Sequence, residues 1–283
     1  MMVSHSLLLG LIGDNIAHSR APLLHRLAGQ QNGLDVRYNR LIPKDLGQEF
    51  DEVFNACATG GYRGINITYP YKERAAKKVS ISDPLVSAIG AVNTVLFEDD
   101  GPKGYNTDYT GFVAAYRNVL GETGPGSVLV IGTGGVGRAV TFALLALGAE
   151  EIRLVDRDVH KAIALADDLK RAGSTTVIRQ MDDAEHAASG AAGLINCTPV
   201  GMTGHEGTPL EANAMHGAKW AFDAVYTPVD TAFLNDAADA GLTIISGYEL
   251  FFFQGVHAWA HFSGKPLDEE LLRKSLLEST ARP

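Results

Sequence analysis

Cysteine is scarce in this chain: among 283 residues only Cys57 and Cys197 carry thiols. Two isolated cysteines make no disulfide framework, and they point to a reducing compartment, the cytoplasm. No Cys/His/Asp grouping has metal-ligand spacing, so no metal is expected. Basic charge is also short. The 24 Lys and Arg stand against 33 Asp and Glu, a net charge of −9, whereas nucleic acid or an anionic membrane as partner calls for a basic patch. Long apolar runs are missing too. Leu7–Ile12 is too short to span a bilayer and has no cationic leader or cleavage site with it, so it reads as a first strand. Without a secretory signal, the sequon Asn66-Ile67-Thr68 carries no weight. There is no internal repeat and no low-complexity tract, and the length suits two domains.

What the chain does contain is concentrated at Val128–Asp156. An apolar run, Val128 to Ile131, reads as a buried parallel strand and leads into Gly132-Thr133-Gly134-Gly135-Val136-Gly137, a G-x-G-x-x-G spacing. An Ala/Leu-rich helix follows, then a second strand at Ile152–Val155 that ends in Asp156. The first glycine makes the strand-to-helix turn, the second admits a pyrophosphate to the backbone, and the third allows close helix–strand packing. The N–H groups that open the helix, at Gly135 and Val136, face the phosphates with a partial positive charge. Asp156, 19 residues beyond Gly137, is placed to accept from ribose hydroxyls and to repel a 2′-phosphate. Asp158 adds a second negative charge, and Arg157 stands between the two acids, available to stack on adenine. These features predict NAD rather than NADP.

Strand-like runs alternate with helical periodicity from end to end, which predicts an α/β protein with parallel sheets. Strands are expected at 7–12, 36–41, 64–68, 90–97 and 103–105, with helices over 22–31, 45–58 and 73–78. A helix at 109–120 enters the dinucleotide-binding domain, whose later strands are expected at 175–179, 193–196, 219–223 and 242–245. The segments 247–262 and 267–281 are expected to fold back onto the N-terminal part. The resulting architecture is a discontinuous α/β domain, 1–109 plus 247–283, and a Rossmann-type doubly wound domain, 110–246, with the active site in the cleft between them.

Outside the fingerprint, polar residues cluster at strand ends: Asn66–Lys72, Gly90–Thr94 and Gly104–Asp108. Ligand sites in open α/β sheets form there. Lys72, Asn93 and Asp108 can converge, and a lysine beside an aspartate can shuttle a proton. Plainer roles are also open: a solvated helix start for Lys72, a turn for Asn93, an N-cap of the 109–120 helix for Asp108. Phe251-Phe252-Phe253 reads as core between the domains, His18 as structural, and Cys197 as a packing residue. His257 and His261 share a helical face but lack a third metal ligand.

Over nearly its whole length the chain resembles the shikimate/quinate dehydrogenases. The resemblance rests on Gly13–Pro22, Asn66–Lys72, Gly90–Thr94, Gly104–Asp108, the glycine fingerprint, Asn196–Met202, Asp223–Pro228 and Gly247–Leu250 leading to Gln254. It implies reversible hydride transfer from the carbinol carbon of a cyclic polyol-carboxylate to NAD, in a monomer or homodimer. Lys72 is then the general base/acid, with Asp108 as its partner. Thr68, Asn93 and Gln254 hold substrate hydroxyls, with Ser19 and Tyr226 near the carboxylate. Thr198, Val225 and Gly247 line the nicotinamide side.

Two departures matter. NADP-preferring members usually carry Asn-Arg-Thr where this chain has Asp156-Arg157-Asp158, in line with NAD. Many members also have a second serine, or a threonine, at Ala21. A methyl cannot donate to a carboxylate; either the smaller residue leaves room for the extra hydroxyl of quinate, or the position is one that tolerates drift. The alternatives are an NADP-linked biosynthetic shikimate dehydrogenase and a non-catalytic sensor of the same ligands. Lys72 and Asp108, and the lack of a DNA-binding segment, oppose the sensor.

Overall fold

Two compact units make up the chain, one from its N-terminal part to Thr107 together with the segment from Gln254 onward, the other Asp108–Phe253. The computed structural model describes residues 6–279. In chain order the first unit contains β1 (Ser6–Ile12), α1 (Ala21–Gln31), β2 (Asp35–Leu41), α2 (Pro43–Leu46) and α3 (Phe50–Thr59). Next come β3 (Gly64–Ile67), α4 (Lys72–Ala76), α5 (Pro84–Ile89), β4 (Thr94–Glu98) and β5 (Gly101–Tyr105). Helix α6 (Thr107–Leu120) carries the chain across the division.

The strand order of the first sheet is β2-β1-β3-β4-β5. β1 pairs in parallel with β2 and β3, but β4 is antiparallel to both β3 and β5. The expectation of parallel pairing therefore fails here: a turn at Asp99-Asp100 is too short for a crossover, and two strands joined that tightly must run antiparallel. Strand alternation separates two apolar layers. Leu9 and Leu11 face Tyr38, Trp259 and Phe262, whereas Ile12 faces Phe50, Phe54, Ile65 and Ile67.

The helix expected over 45–58 is two helices, because Gly47 takes a left-handed conformation (φ 63°) that ends α2, and Glu49 and Glu52 then form a capping box for α3. The strand expected from residue 90 starts only at Thr94, since left-handed Gly90 terminates α5.

The second unit has β6 (Ser127–Ile131), α7 (Gly135–Ala146), β7 (Glu151–Val155), α8 (Val159–Arg171), β8 (Val177–Met181) and α9 (Ala184–Ala188). β9 (Gly193–Asn196), a 3₁₀ turn (Ala212–Met215), β10 (Trp220–Asp223), α10 (Ala232–Asp239) and β11 (Thr243–Ile245) complete it. β8 lies two residues later than 175–179 because Thr176 N–H is drawn into a turn by the Ser174 hydroxyl. All six strands are parallel, in the order β11-β10-β9-β6-β7-β8. Successive crossovers move one way from β6 to β8 and the other way from β9 to β11. The reversal between β6 and β9 is the switch point where doubly wound sheets bind ligands. Helices α11 (Gly247–Ser263) and α12 (Glu269–Glu278) lead back, and α12 packs on α1 in the first unit.

A titratable histidine stands in the core of the first unit, on α1. His25 on α1 is 1 % exposed, stacks on Tyr38 with ring centroids 5.1 Å apart, and leaves its Nδ1 without a hydrogen-bond partner. Burial pushes its pKa from 6.5 down to about 3, against a small upward pull from Asn66. Between those values the unfolded chain binds a proton that the folded one does not, so stability falls as pH drops through 6.5. From pH 7.5 to pH 5 the wild type should lose about 2 kcal/mol more than His25→Phe, read by urea unfolding at both pH values.

Candidate active site

Four polar segments meet on one edge of the first sheet. β1 and β3 run in parallel and end there, so Gly13–Ser19 and Thr68–Lys72 leave from neighbouring strands: Thr68 N–H donates to Ile12 O (2.9 Å) and Asp14 N–H to Tyr69 O (3.1 Å). Antiparallel β4 starts at this edge, which brings in Asn93, and β5 ends there, which brings in Asn106 and Thr107.

Behind the edge lies a buried polar relay. Tyr38 Oη donates to Asn66 Oδ1 (2.8 Å), and Asn66 Nδ2 donates to Thr94 Oγ1 (3.0 Å) and Asn93 O (3.2 Å). Asn93 Oδ1 accepts Thr107 N–H at 2.7 Å, and its Nδ2 donates one hydrogen to Thr107 Oγ1 at 3.0 Å. Sequence reasoning assigned no role to Tyr38, Thr94 or Thr107 in this relay; only the pairing of β4 with β3 and β5 brings them together.

Lys72 opens α4 and is 8 % exposed, with its carbonyl fixed by Val92 N–H at 3.1 Å. Asp108 is 6 % exposed and stands in the first turn of α6, one residue after the Thr107 that Asn93 pins. It is therefore not the N-cap: the helix starts before it. Ser19 Oγ accepts Ala21 N–H (3.3 Å) and Ser19 O accepts Arg40 Nη2 (2.6 Å). Ala21 is 8 % exposed and belongs to the buried apolar cluster that also holds Leu9, Leu11 and Ile16. Thr68 and Gln254 are half-buried, Gln254 on α11.

The second unit carries the glycine turn at the switch point. Gly132 has φ 94°, and a Cβ there would come within 2.8 Å of Cys197 and Thr198 at the end of β9. A Cβ on Gly137 would sit 2.0 Å from Gly132 O, so only glycine lets α7 approach β6 this closely. At Gly134 a Cβ would meet nothing within 4 Å. Closed packing on one side and open space at the helix start fit a pyrophosphate on the N–H groups of α7, with Gly132, Gly134, Gly135, Val136 and Gly137 forming the cradle.

Asp156 follows β7. Its Oδ2 accepts Thr133 N–H (2.7 Å) and Thr133 Oγ1–H (2.8 Å), and its Oδ1 accepts Asp158 N–H (2.9 Å). Burial pushes this carboxyl up, but those donors and nearby Lys161 outweigh it and hold it below the usual range, so it is ionised at neutral pH. Thr133, which sequence reasoning passed over, thus clamps the acid. Arg157 is exposed. Thr198, Val225 and Gly247 follow the ends of β9, β10 and β11. Tyr226 stacks on Phe251 with ring centroids 5.1 Å apart, and Phe251, Phe252 and Phe253 are all buried.

Residues 11–95 match the family model described as the shikimate dehydrogenase substrate binding domain. Over 96% of its length, and 98% of the relative's, the chain is 34% identical to a quinate/shikimate dehydrogenase (NAD(+)) of Corynebacterium efficiens. The chain belongs to the shikimate/quinate dehydrogenase family. A second family member, the shikimate dehydrogenase (NADP(+)) of Pseudarthrobacter chlorophenolicus, is 35% identical over 98% of this chain and 97% of its own. Among solved structures, quinate dehydrogenase from Corynebacterium glutamicum in complex with NAD aligns with a TM-score of 0.89 at 32% identity, covering 97% of this chain and 99% of that one. NAD-linked and NADP-linked family members thus lie at almost equal distance.

Proposed function

We propose that this chain is an NAD-preferring dehydrogenase that oxidises shikimate, quinate or both to the 3-dehydro acid, reversibly, as a cytoplasmic monomer or homodimer. The observation that carries the reading is Asp156, an ionised carboxylate clamped by Thr133 and the Asp158 N–H at the end of β7, where the cofactor's ribose belongs. A 2′-phosphate brought there meets a full negative charge, with Asp158 beside it. Gly132, Gly134, Gly135, Val136 and Gly137 hold the pyrophosphate, Asp156 the ribose and Arg157 the adenine, while Thr198, Val225 and Gly247 flank the nicotinamide. The bound nicotinamide supplies the hydride acceptor.

The chain's own residues do the rest. Lys72 Nζ takes the proton of the carbinol hydroxyl as the hydride leaves its carbon, and Asp108 fixes the amine and the hydroxyl together. The Asn93–Thr107 pair sets where α6 begins and so where Asp108 stands. Thr68, Asn93 and Gln254 take the remaining hydroxyls, and Ser19 and Tyr226 the carboxylate. The test is initial-rate NAD(P)H formation with shikimate and quinate, each against NAD⁺ and NADP⁺. The reading expects the highest kcat/KM with NAD⁺. Activity with NADP⁺ alone would transfer the chain to the NADP-linked branch, and silence in all four assays would leave either a different substrate or a ligand sensor.

Ala21 bears on the choice of acid. A hydrogen bond to a charged group is worth about 1.5–3 kcal/mol, and Ala21→Ser offers such a donor beside Ser19 while taking up space. Ala21→Ser should shift the shikimate-to-quinate ratio of kcat/KM toward shikimate by about tenfold; an unchanged ratio removes Ala21 from substrate choice.

A further inference from the structure

Asp223, the last residue of β10, has no part in the chemistry above, yet it is a carboxylate with 0 % exposure. Its Oδ1 accepts Asn196 Nδ2 (2.9 Å) and Val225 N–H (2.9 Å), and its Oδ2 accepts Thr231 Oγ1–H (2.7 Å). The donors come from the end of β9, from the turn after β10 and from the start of α10. Asn196 ends β9 and lies opposite Asp223 in register; its own Oδ1 accepts both the N–H (2.9 Å) and the hydroxyl (2.7 Å) of Thr198. Thr231 is the N-cap of α10, accepting Leu234 N–H at 3.3 Å while it donates to Asp223. Val225 in turn meets Gly247, where a Cβ would lie 2.3 Å from Val225 O.

We infer that Asp223 is a positioning residue, holding the turns after β9 and β10 so that Thr198 and Val225 are fixed where the nicotinamide binds. This rests on the dinucleotide reading above. A buried carboxylate is expensive, and burial pushes Asp223 up to about 6 even with three donors pulling the other way. An apolar residue would pack β10 at less cost. What it could not do is accept three hydrogen bonds from three directions at one point, and those bonds tie both turns and the start of α10 to the sheet. Only a carboxylate offers that many acceptor sites without adding a donor.

The test compares wild type with Asp223→Asn and with Thr231→Val, which removes one donor at nearly constant volume. The Kd for NAD⁺ is read by isothermal titration calorimetry, and the KM for the acid is read at saturating NAD⁺. An amide at 223 presents hydrogens to donors, so the NAD⁺ Kd should rise at least fivefold in Asp223→Asn and about threefold in Thr231→Val. The KM for the acid should stay within twofold in both. A residue that only supported the core would reduce the folded fraction without changing the Kd of what remains folded. If Asp223→Asn does not fold, Thr231→Val carries the same test. An unchanged NAD⁺ Kd, or a KM for the acid that rises in step with it, overturns the inference. A wild type that binds no NAD⁺ or NADP⁺ overturns instead the dinucleotide reading beneath it, and a wild type that binds NADP⁺ alone is tested with that nucleotide.

Discussion

Lys72→Ala should lower kcat by about 10³-fold, within the range that a positioned general acid or base contributes, while the Kd for NAD⁺ changes less than twofold. The lysine is 8 % exposed at the first position of α4, and its carbonyl is held by Val92 N–H, which anchors its backbone at the sheet edge. Truncation at Cβ therefore removes the amine and leaves the segment in register. A loss confined to kcat marks an interaction made in the transition state, whereas a rise in KM alone would reduce Lys72 to a substrate contact. Turnover retained within tenfold would remove the proton-transfer role altogether. Asp108→Asn should fall between wild type and Lys72→Ala, because an amide still accepts a hydrogen bond but carries no charge.

The glycine turn was legible in the sequence because its parts act locally. A Cβ at Gly137 would strike Gly132 O, five residues earlier, so spacing alone specifies the contact. The same holds for β6, apolar and buried along Val128–Ile131, and for α12, whose Asp268 cap and apolar Leu272 and Leu276 mark it in the sequence. What stayed hidden depends on pairing between distant strands. The short Asp99-Asp100 turn sets β4 against β5, but nothing local sets β4 antiparallel to β3, and that reversal is what carries Asn93, the residue before β4, to the edge where β3 and β5 end. The relay from Tyr38 through Asn66 to Asn93 spans β2, β3 and the start of β4, with no sequence periodicity to link them. Thr133 was overlooked for another reason: the fingerprint treats its position as free, while the structure uses both its N–H and its hydroxyl on Asp156. Asn196 and Asp223 stand inside recognisable segments, but only their opposition across β9 and β10 shows that they act on each other.

Asp156→Ser should change the NAD⁺-to-NADP⁺ ratio of kcat/KM by about 100-fold, in two halves. Losing the carboxylate removes a charge-assisted hydrogen bond to the ribose, worth about 1.5–3 kcal/mol, which lowers kcat/KM for NAD⁺ by about tenfold or more. Removing the negative charge lifts the repulsion of a 2′-phosphate, and kcat/KM for NADP⁺ should rise by about tenfold; Asp158 keeps the gain from being larger. Serine retains one oxygen for Thr133 or for the Asp158 N–H but not for all three donors, so part of the NAD⁺ loss arises from a loosened turn. Thr133→Val separates the two causes. It deletes the hydroxyl bond to Oδ2 and leaves the charge, so it should weaken NAD⁺ by a few fold without admitting NADP⁺. The repulsion is partly screened, so raising ionic strength should narrow the cofactor ratio of the wild type and leave that of Asp156→Ser nearly flat. Equal cofactor ratios for wild type and Asp156→Ser would show that cofactor choice lies elsewhere in the cradle.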